Sequence, residues 1–274
     1  MISGTIAGIS SFTVYPLGEI IIPRPSYSYY YISYTPSSAS GTMWIRSTST
    51  ATPVSYQISS YRGMLKFGDS YPSYLSFESC NWRRIETNIP LFNQSYIFSF
   101  CSTLQKADLY NCTSLPIGTF YVCSSLSQIS LPVCEYVGYN AFYACSSLTQ
   151  ISLPVCSYIS SQAFMGCYSL SQISLPMCSY IGGDAFYVCS SLTQISLPKC
   201  SYIGSHTFEG CKSLSIITIG YSGICSLDGI GAFDGTKITS SIGSIYVPAS
   251  LVDKYKSDSY WSYFSAIIQS YPGL

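Results

Sequence analysis

Polar and apolar positions recur along this chain at a fixed interval. Cys101, Cys123, Cys145, Cys167, Cys189 and Cys211 stand 22 residues apart, and Cys112, Cys134, Cys156, Cys178 and Cys200 form a second series at the same interval. The unit between them reads C-x-S-L-x-Q-I-S-L-P-x-C-x-Y-I-x-x-x-A-F-x-x, and four copies from Cys123 to Gly210 follow it closely. Within a copy, Gln194, Ile195, Ser196 and Leu197 alternate polar and apolar. That pattern predicts a short strand that buries Ile and Leu and shows Gln and Ser. Pro198 ends the strand because it has no N–H for a ladder bond. Ile203, Gly204 and Phe208 belong to the return path. No window there holds a full helix, so turns, 3₁₀ pieces or a second short strand are expected.

One unit cannot bury its Leu and Phe rows alone. Units stacked about 4.8 Å apart in a parallel ladder can. Residues 101–122 keep Leu104, Leu109, Cys112 and Phe120 but diverge elsewhere, and 79–100 keep only Trp82, Ile85 and Phe98 in phase, as a degenerate first turn. The last unit opens at Cys211, carries about three extra residues and recovers phase at Ala232–Phe233. The expected architecture is β-dominated: a solenoid of about six 22-residue units over residues 79–244, with short parallel strands. Residues 245–274 form a C-terminal cap, since Leu251, Val252 and Tyr255 have helical spacing after Pro248. Trp261, Phe264 and Ile267 predict a second short helix that seals the last turn. Residues 1–78 lack the repeat. Their strand-like runs, separated by Pro, Ser and Gly clusters, predict a small β-sandwich-like domain.

Inside the unit, L-x-x-I-x-L-P-x-C-x-Y fits the leucine-rich-repeat pattern, as at Leu192, Ile195, Leu197 and Cys200. The combination AF-x-x-C-x-S-L-x-x-I-x-L-P at Ala141–Pro154, Ala163–Pro176 and Ala185–Pro198 resembles the BspA-like leucine-rich repeats of bacterial and protozoan surface proteins. Ile245–Ile267 looks like the strand and helix that close such arrays. One departure is Cys at the second core position, where members of that family often carry Val. The stretch Tyr34–Tyr56 is similar to the middle of bacterial Ig-like domains of group 2, with a family-specific β-cap as the alternative. The repeat resemblance implies a cell-surface or extracellular place and adhesion or host-protein contact.

Composition narrows the surface. Hydrophobic residues make up 47% of the 274 and charged ones only 9%, against a usual charged share of about 25%. The exposed positions must therefore be Ser, Thr, Gln, Asn and Tyr. Twelve basic and twelve acidic residues cancel, which argues against a nucleic-acid partner. No apolar run reaches the length of a membrane span, so no membrane insertion is expected. The first residues lack a charged n-region and a clean cleavage site, so no secretory signal peptide is expected in them.

The thirteen cysteines admit three readings. A metal site needs close pairs such as C-x-x-C with histidine nearby; the chain has no such pair and only His206. Systematic disulfides need converging Cβ vectors, whereas cysteines on stacked parallel coils point the same way. The third reading, small buried hydrophobes filling repeated core slots, fits the spacing best. Cys80 and Cys225 fall outside both series. No cofactor and no metal are expected.

Catalysis is equally hard to place. His206 lies in a variable loop, no G-x-S-x-G elbow or phosphate loop occurs, and between Cys123 and Pro198 the only charges are Glu135 and Asp184. What the repeats offer is columns: Gln128, Gln150, Gln172 and Gln194, with a serine column beside them, and Tyr136, Tyr158, Tyr180 and Tyr202. Uncharged amides and phenols suit a protein or glycan surface, and these eight residues are the candidate ligand site. The expected function is a non-enzymatic binding or adhesion protein for a host or neighbouring-cell protein or glycan. A viral or tail-associated receptor-binding protein and a structural spacer without a ligand remain open beside it.

Overall fold

The computed structural model describes residues 77, 82–87, 95–220 and 222–271 with their side chains, and the backbone of strands within residues 2–67. From Trp82 onward the chain winds as a solenoid, and the coils between Cys101 and Leu227 contribute two strands each. The longer ones are Trp82–Thr87, Lys106–Leu109, Gln128–Ser130, Gln150–Ser152, Gln172–Ser174, Gln194–Leu197, Ile216–Ile219 and Ser244–Val247. Pairing is parallel and keeps equivalent positions level: Gln128 with Lys106, Gln150 with Gln172, Ile195 with Ile217. The alternation Gln-Ile-Ser-Leu explains it, because a shift of one residue would turn Ile and Leu outward.

The return leg holds a second short strand, the last of the three options the sequence left. Ser114–Leu115, Tyr136–Val137, Tyr158–Ile159, Tyr180–Ile181, Tyr202–Ile203 and Ser226–Leu227 form one six-stranded parallel ladder. Between the ladders the chain turns through residues with positive φ. Gly118, Asn140, Gln162, Asp184 and His206 occupy one such position in successive coils, and Val122, Ala144, Gly166, Val188 and Gly210 another. Asn, Asp and Gly tolerate this conformation, but a β-branched Val there is strained.

The core is a set of straight columns. Phe77, Phe98, Phe120, Phe142, Phe164, Phe186, Phe208 and Phe233 stack with ring centroids 5.0–5.7 Å apart and planes within 15°. The expected in-phase residues Trp82, Ile85 and Phe98 are fully buried, and Ala232–Phe233 rejoin the register after the longer coil.

The twelve described cysteines are buried and none of them is in a disulfide, and they act as donors as well as filler. In the first series each thiol donates to the phenylalanine carbonyl one coil back: Cys123 to Phe98, Cys145 to Phe120, Cys167 to Phe142, at 3.0–3.1 Å. The Phe120 carbonyl also accepts the Cys123 N–H at 3.1 Å, so both of its lone pairs are used. In the second series the thiol donates within its own coil, as Cys156 does to the Tyr158 carbonyl at 3.3 Å. Burial pushes Cys112 and Cys167 up to about 12 and Cys156 to about 11, whereas a hydrogen bond with Cys225 lowers Cys200. Cys225 stands one residue out of step with the second series but still meets its neighbour. It follows Cys200 after the longer coil, one residue before Ser226, which pairs with Tyr202, and its thiol is raised by a hydrogen bond with Cys200. Cys80 lies outside the described residues.

The C-terminal segment closes the array. Helix Val252–Ser257 is α, whereas Trp261–Ile267 is 3₁₀ with a break at Phe264. Trp261 and Phe264 cover the last ring of the phenylalanine column, and Ile268–Ser270 adds a parallel strand beside Ser244–Val247. Cys225 is the anchor: its N–H donates to the Tyr255 hydroxyl at 2.7 Å and its carbonyl accepts from Trp261 Nε1 at 2.6 Å. At the other end, strand Tyr30–Pro36 pairs antiparallel with Trp82–Thr87, which continues the sheet into Ile2–Ile6, Ile9–Val14 and Gly63–Phe67. Ser40–Ile45 and Val54–Ser59 form a separate hairpin. The connecting residues of the stretch compared with Ig-like domains lie outside the described residues.

Candidate functional site

The longer strands line a groove of about 870 Å³. Its wall is built from the same positions of successive coils: Gln128, Gln150, Gln172 and Gln194 in one row, and Ser152, Ser174 and Ser196 in the next. All four glutamines are exposed. Strand alternation puts them on the outer face, and the in-register pairing Gln150–Gln172 sets them in line. At a strand spacing of about 4.8 Å the row is about 14 Å long. No charged residue lines the groove.

Hydrogen bonding separates two kinds of serine. Ser127, Ser171 and Ser215 donate to the carbonyl one coil back, at 3.1–3.4 Å. Ser157, Ser179 and Ser201 do the same on the other ladder, at 3.0–3.3 Å. These hydroxyls are spent on holding coils together. The groove-lining Gln and Ser side chains sit on the outer face of their strands, where their amides and hydroxyls meet solvent.

The tyrosines that the sequence grouped with the glutamines belong to the second ladder and do not line the groove. Their rings stack on one another: Tyr136 on Tyr158 at 5.1 Å, Tyr158 on Tyr180 at 4.4 Å, Tyr180 on Tyr202 at 4.7 Å, with planes within 15°. Interior ring faces are therefore covered, and the column presents ring edges and hydroxyls. Tyr202 donates to Asp228 Oδ2 at 3.1 Å. Between the two columns three successive coils expose an apolar step, Val133, Val155 and Met177, that sequence reasoning did not single out, and the next coil carries Lys199 there. The signal was present as the variable residue after each proline.

His206 is exposed, as expected, and its Nδ1 lies 2.6 Å from Glu209 Oε2. Among the described residues no group of three or more His, Cys, Asp or Glu side chains is placed to hold a metal ion, and no helix is long and apolar enough to cross a membrane.

A family model described as the BspA type leucine rich repeat region matches residues 73–155 and 135–253, in six copies. The chain belongs to this family. Among solved structures, a BspA-type solenoid of this kind is similar to a leucine-rich repeat protein from Bacteroides ovatus, with 23% identity, 54% of this chain, 36% of that chain and a TM-score of 0.37. A leucine-rich repeat protein of T. pallidum matches at 24% identity, over 61% of this chain and 65% of that one, with a TM-score of 0.39. A leucine-rich cell surface protein from Faecalibacterium prausnitzii matches at 23% identity, over 58% and 52%, with a TM-score of 0.40. The chain thus spans less than two thirds of each of these three. No curated protein matches it.

Proposed function

We propose that this BspA-type solenoid is a non-enzymatic binding or adhesion protein that works at a microbial cell surface. The groove carries the reading. It sets rows of amides and hydroxyls, free of charge, on the solvent side of the stacked strands. Such a wall favours a neutral extended ligand, a glycan chain or a protein segment, over an anion or a nucleic acid. Gln128, Gln150, Gln172 and Gln194 are the principal contacts. Tyr136, Tyr158, Tyr180 and Tyr202 contribute a second surface of hydroxyls and ring edges on the neighbouring ladder. Residues 1–78 serve as a separate Ig-like or capping module, 79–244 as the ligand-bearing solenoid and 245–274 as its closure. Family membership and the cell-surface description of the Faecalibacterium protein support the location.

The test is a Gln150→Ala, Gln172→Ala double variant on arrays of neutral glycans and matrix proteins. Both side chains are exposed, so stability should stay within about 0.5 kcal/mol per substitution, while binding to any ligand retained by the parent protein falls. Undiminished binding, or arrays that stay blank with the parent protein, would favour a spacer without a ligand of its own.

A further inference from the structure

The four stacked tyrosines combine three features that a binding surface does not require. The central pair is the closest and flattest ring pair of the column, with centroids 4.4 Å apart and planes 3° from parallel. The in-register pairing of Tyr158 with Tyr180 holds these rings at equivalent positions of adjacent coils. Tyr136 and Tyr202 extend the stack on either side, so a positive charge created on one ring is shared with its neighbours. At one end stands a proton acceptor, the Asp228 carboxylate, 3.1 Å from the Tyr202 hydroxyl. The groups that would normally quench a tyrosyl radical are also withdrawn. The twelve described thiols are buried, and burial holds Cys112, Cys167 and Cys156 well above their ordinary ionisation range.

We propose that the Tyr136–Tyr158–Tyr180–Tyr202 column is an oxidative cross-linking site, where a haem peroxidase using hydrogen peroxide joins Tyr158 to Tyr180. Each phenol loses one electron to the peroxidase and its hydroxyl proton to solvent. The two phenoxyl radicals couple through the ring carbons ortho to oxygen. The hydrogens on those carbons then move to the oxygens and restore both phenols. The protein loses two hydrogens in all, and the peroxide, taking two electrons and two protons, becomes two waters. The product is a covalent staple between adjacent coils, formed within one molecule.

The probe is a haem peroxidase with hydrogen peroxide in slight excess over protein, read by dityrosine fluorescence, intact mass and sequencing of digested peptides. The parent protein should lose two hydrogens as a monomer and yield a peptide joining Tyr158 to Tyr180. A Tyr158→Phe, Tyr180→Phe double variant keeps the ring stack but leaves no two adjacent phenols in the column, so its cross-link should vanish. A Tyr136→Phe, Tyr202→Phe variant retains the central pair and should retain the product. Peroxide without peroxidase should instead add oxygen, at exposed Met177. The proposal is overturned if the first variant yields as much dityrosine as the parent. It is also overturned if the bonds map to other tyrosines, including the stacked pair Tyr121–Tyr143 at 4.8 Å, or if they join separate molecules in dilute solution.

Discussion

Cutting one ring out of the phenylalanine column at its middle tests how the coils hold one another. Phe164 is fully buried, with its centroid 5.0 Å from Phe142 and 5.2 Å from Phe186. A buried Phe→Ala change costs about 3–5 kcal/mol in transfer and cavity energy. Phe164→Leu keeps most of the apolar volume and loses two ring contacts, at about 0.5–1.5 kcal/mol each, or about 1–3 kcal/mol together. A domain has about 5–15 kcal/mol in total, so the alanine variant removes a large share of it. Because a solenoid is stabilised by contacts between nearest neighbours, one substitution weakens two interfaces at once. Urea unfolding should be followed by far-ultraviolet circular dichroism and by the fluorescence of Trp82 and Trp261, which are buried near opposite ends. Phe164→Ala should lower the midpoint and split the transition as the two halves uncouple, with Phe164→Leu intermediate. A loss under about 1 kcal/mol for Phe164→Ala, or equal losses for both variants, would refute the column as the coupling element.

The thiols predict a dependence on alkaline pH. Unfolded cysteine ionises near about 8.5, whereas folded Cys156 holds its proton to about 11 and Cys112 and Cys167 to about 12. Their contribution is complete below about pH 8.5. Above it the unfolded chain sheds protons that the folded one keeps, so stability falls by up to about 1.4 kcal/mol per thiol per pH unit. Melting curves from pH 7 to 10 with reductant should show that fall, and Cys167→Ala should make it shallower; a flat profile would count against protonated buried thiols. Val188 lies at φ 59°, where a side chain costs about 1–2 kcal/mol and glycine loses about 0.5–1 kcal/mol through its unfolded state. Val188→Gly should therefore leave the midpoint unchanged or raised, and a drop of more than about 1 kcal/mol would show that its side-chain packing outweighs the strain.

The strands and the core were legible because period and alternation encode them directly: Gln194 to Leu197 read as a half-buried strand, and Leu, Ile and Phe at fixed phase read as columns. The groove followed from the same alternation, which put the glutamines outside. Three things were hidden. The left-handed turns fall on Gln162, Val122 and Val188 as well as on glycine, so residue type does not announce them; coil closure imposes them. The thiol hydrogen bonds depend on a carbonyl one coil away, 25 residues distant in sequence for Cys145 and Phe120. The position of the tyrosines, eight residues past the glutamines in each unit, shows them as a column but not that they lie on a different ladder. Cys225 looked isolated because a longer coil moved it out of arithmetic phase and one residue off the strand register, while its thiol still meets that of Cys200.

Contacts across the coil boundaries in the middle of the array repeat from one boundary to the next: ring on like ring, strand beside like strand, thiol to the phenylalanine carbonyl one coil back. Removing residues 145–166 would bring Phe142 against Phe186 and Tyr136 against Tyr180, pairs already of the native kind. The near-identical strings opening at Cys123, Cys145, Cys167 and Cys189 are also what replication slippage and unequal crossing-over act upon. The number of coils, and with it the length of the groove, is thus an inheritable dimension that can lengthen or shorten by whole units without any new packing solution having to arise.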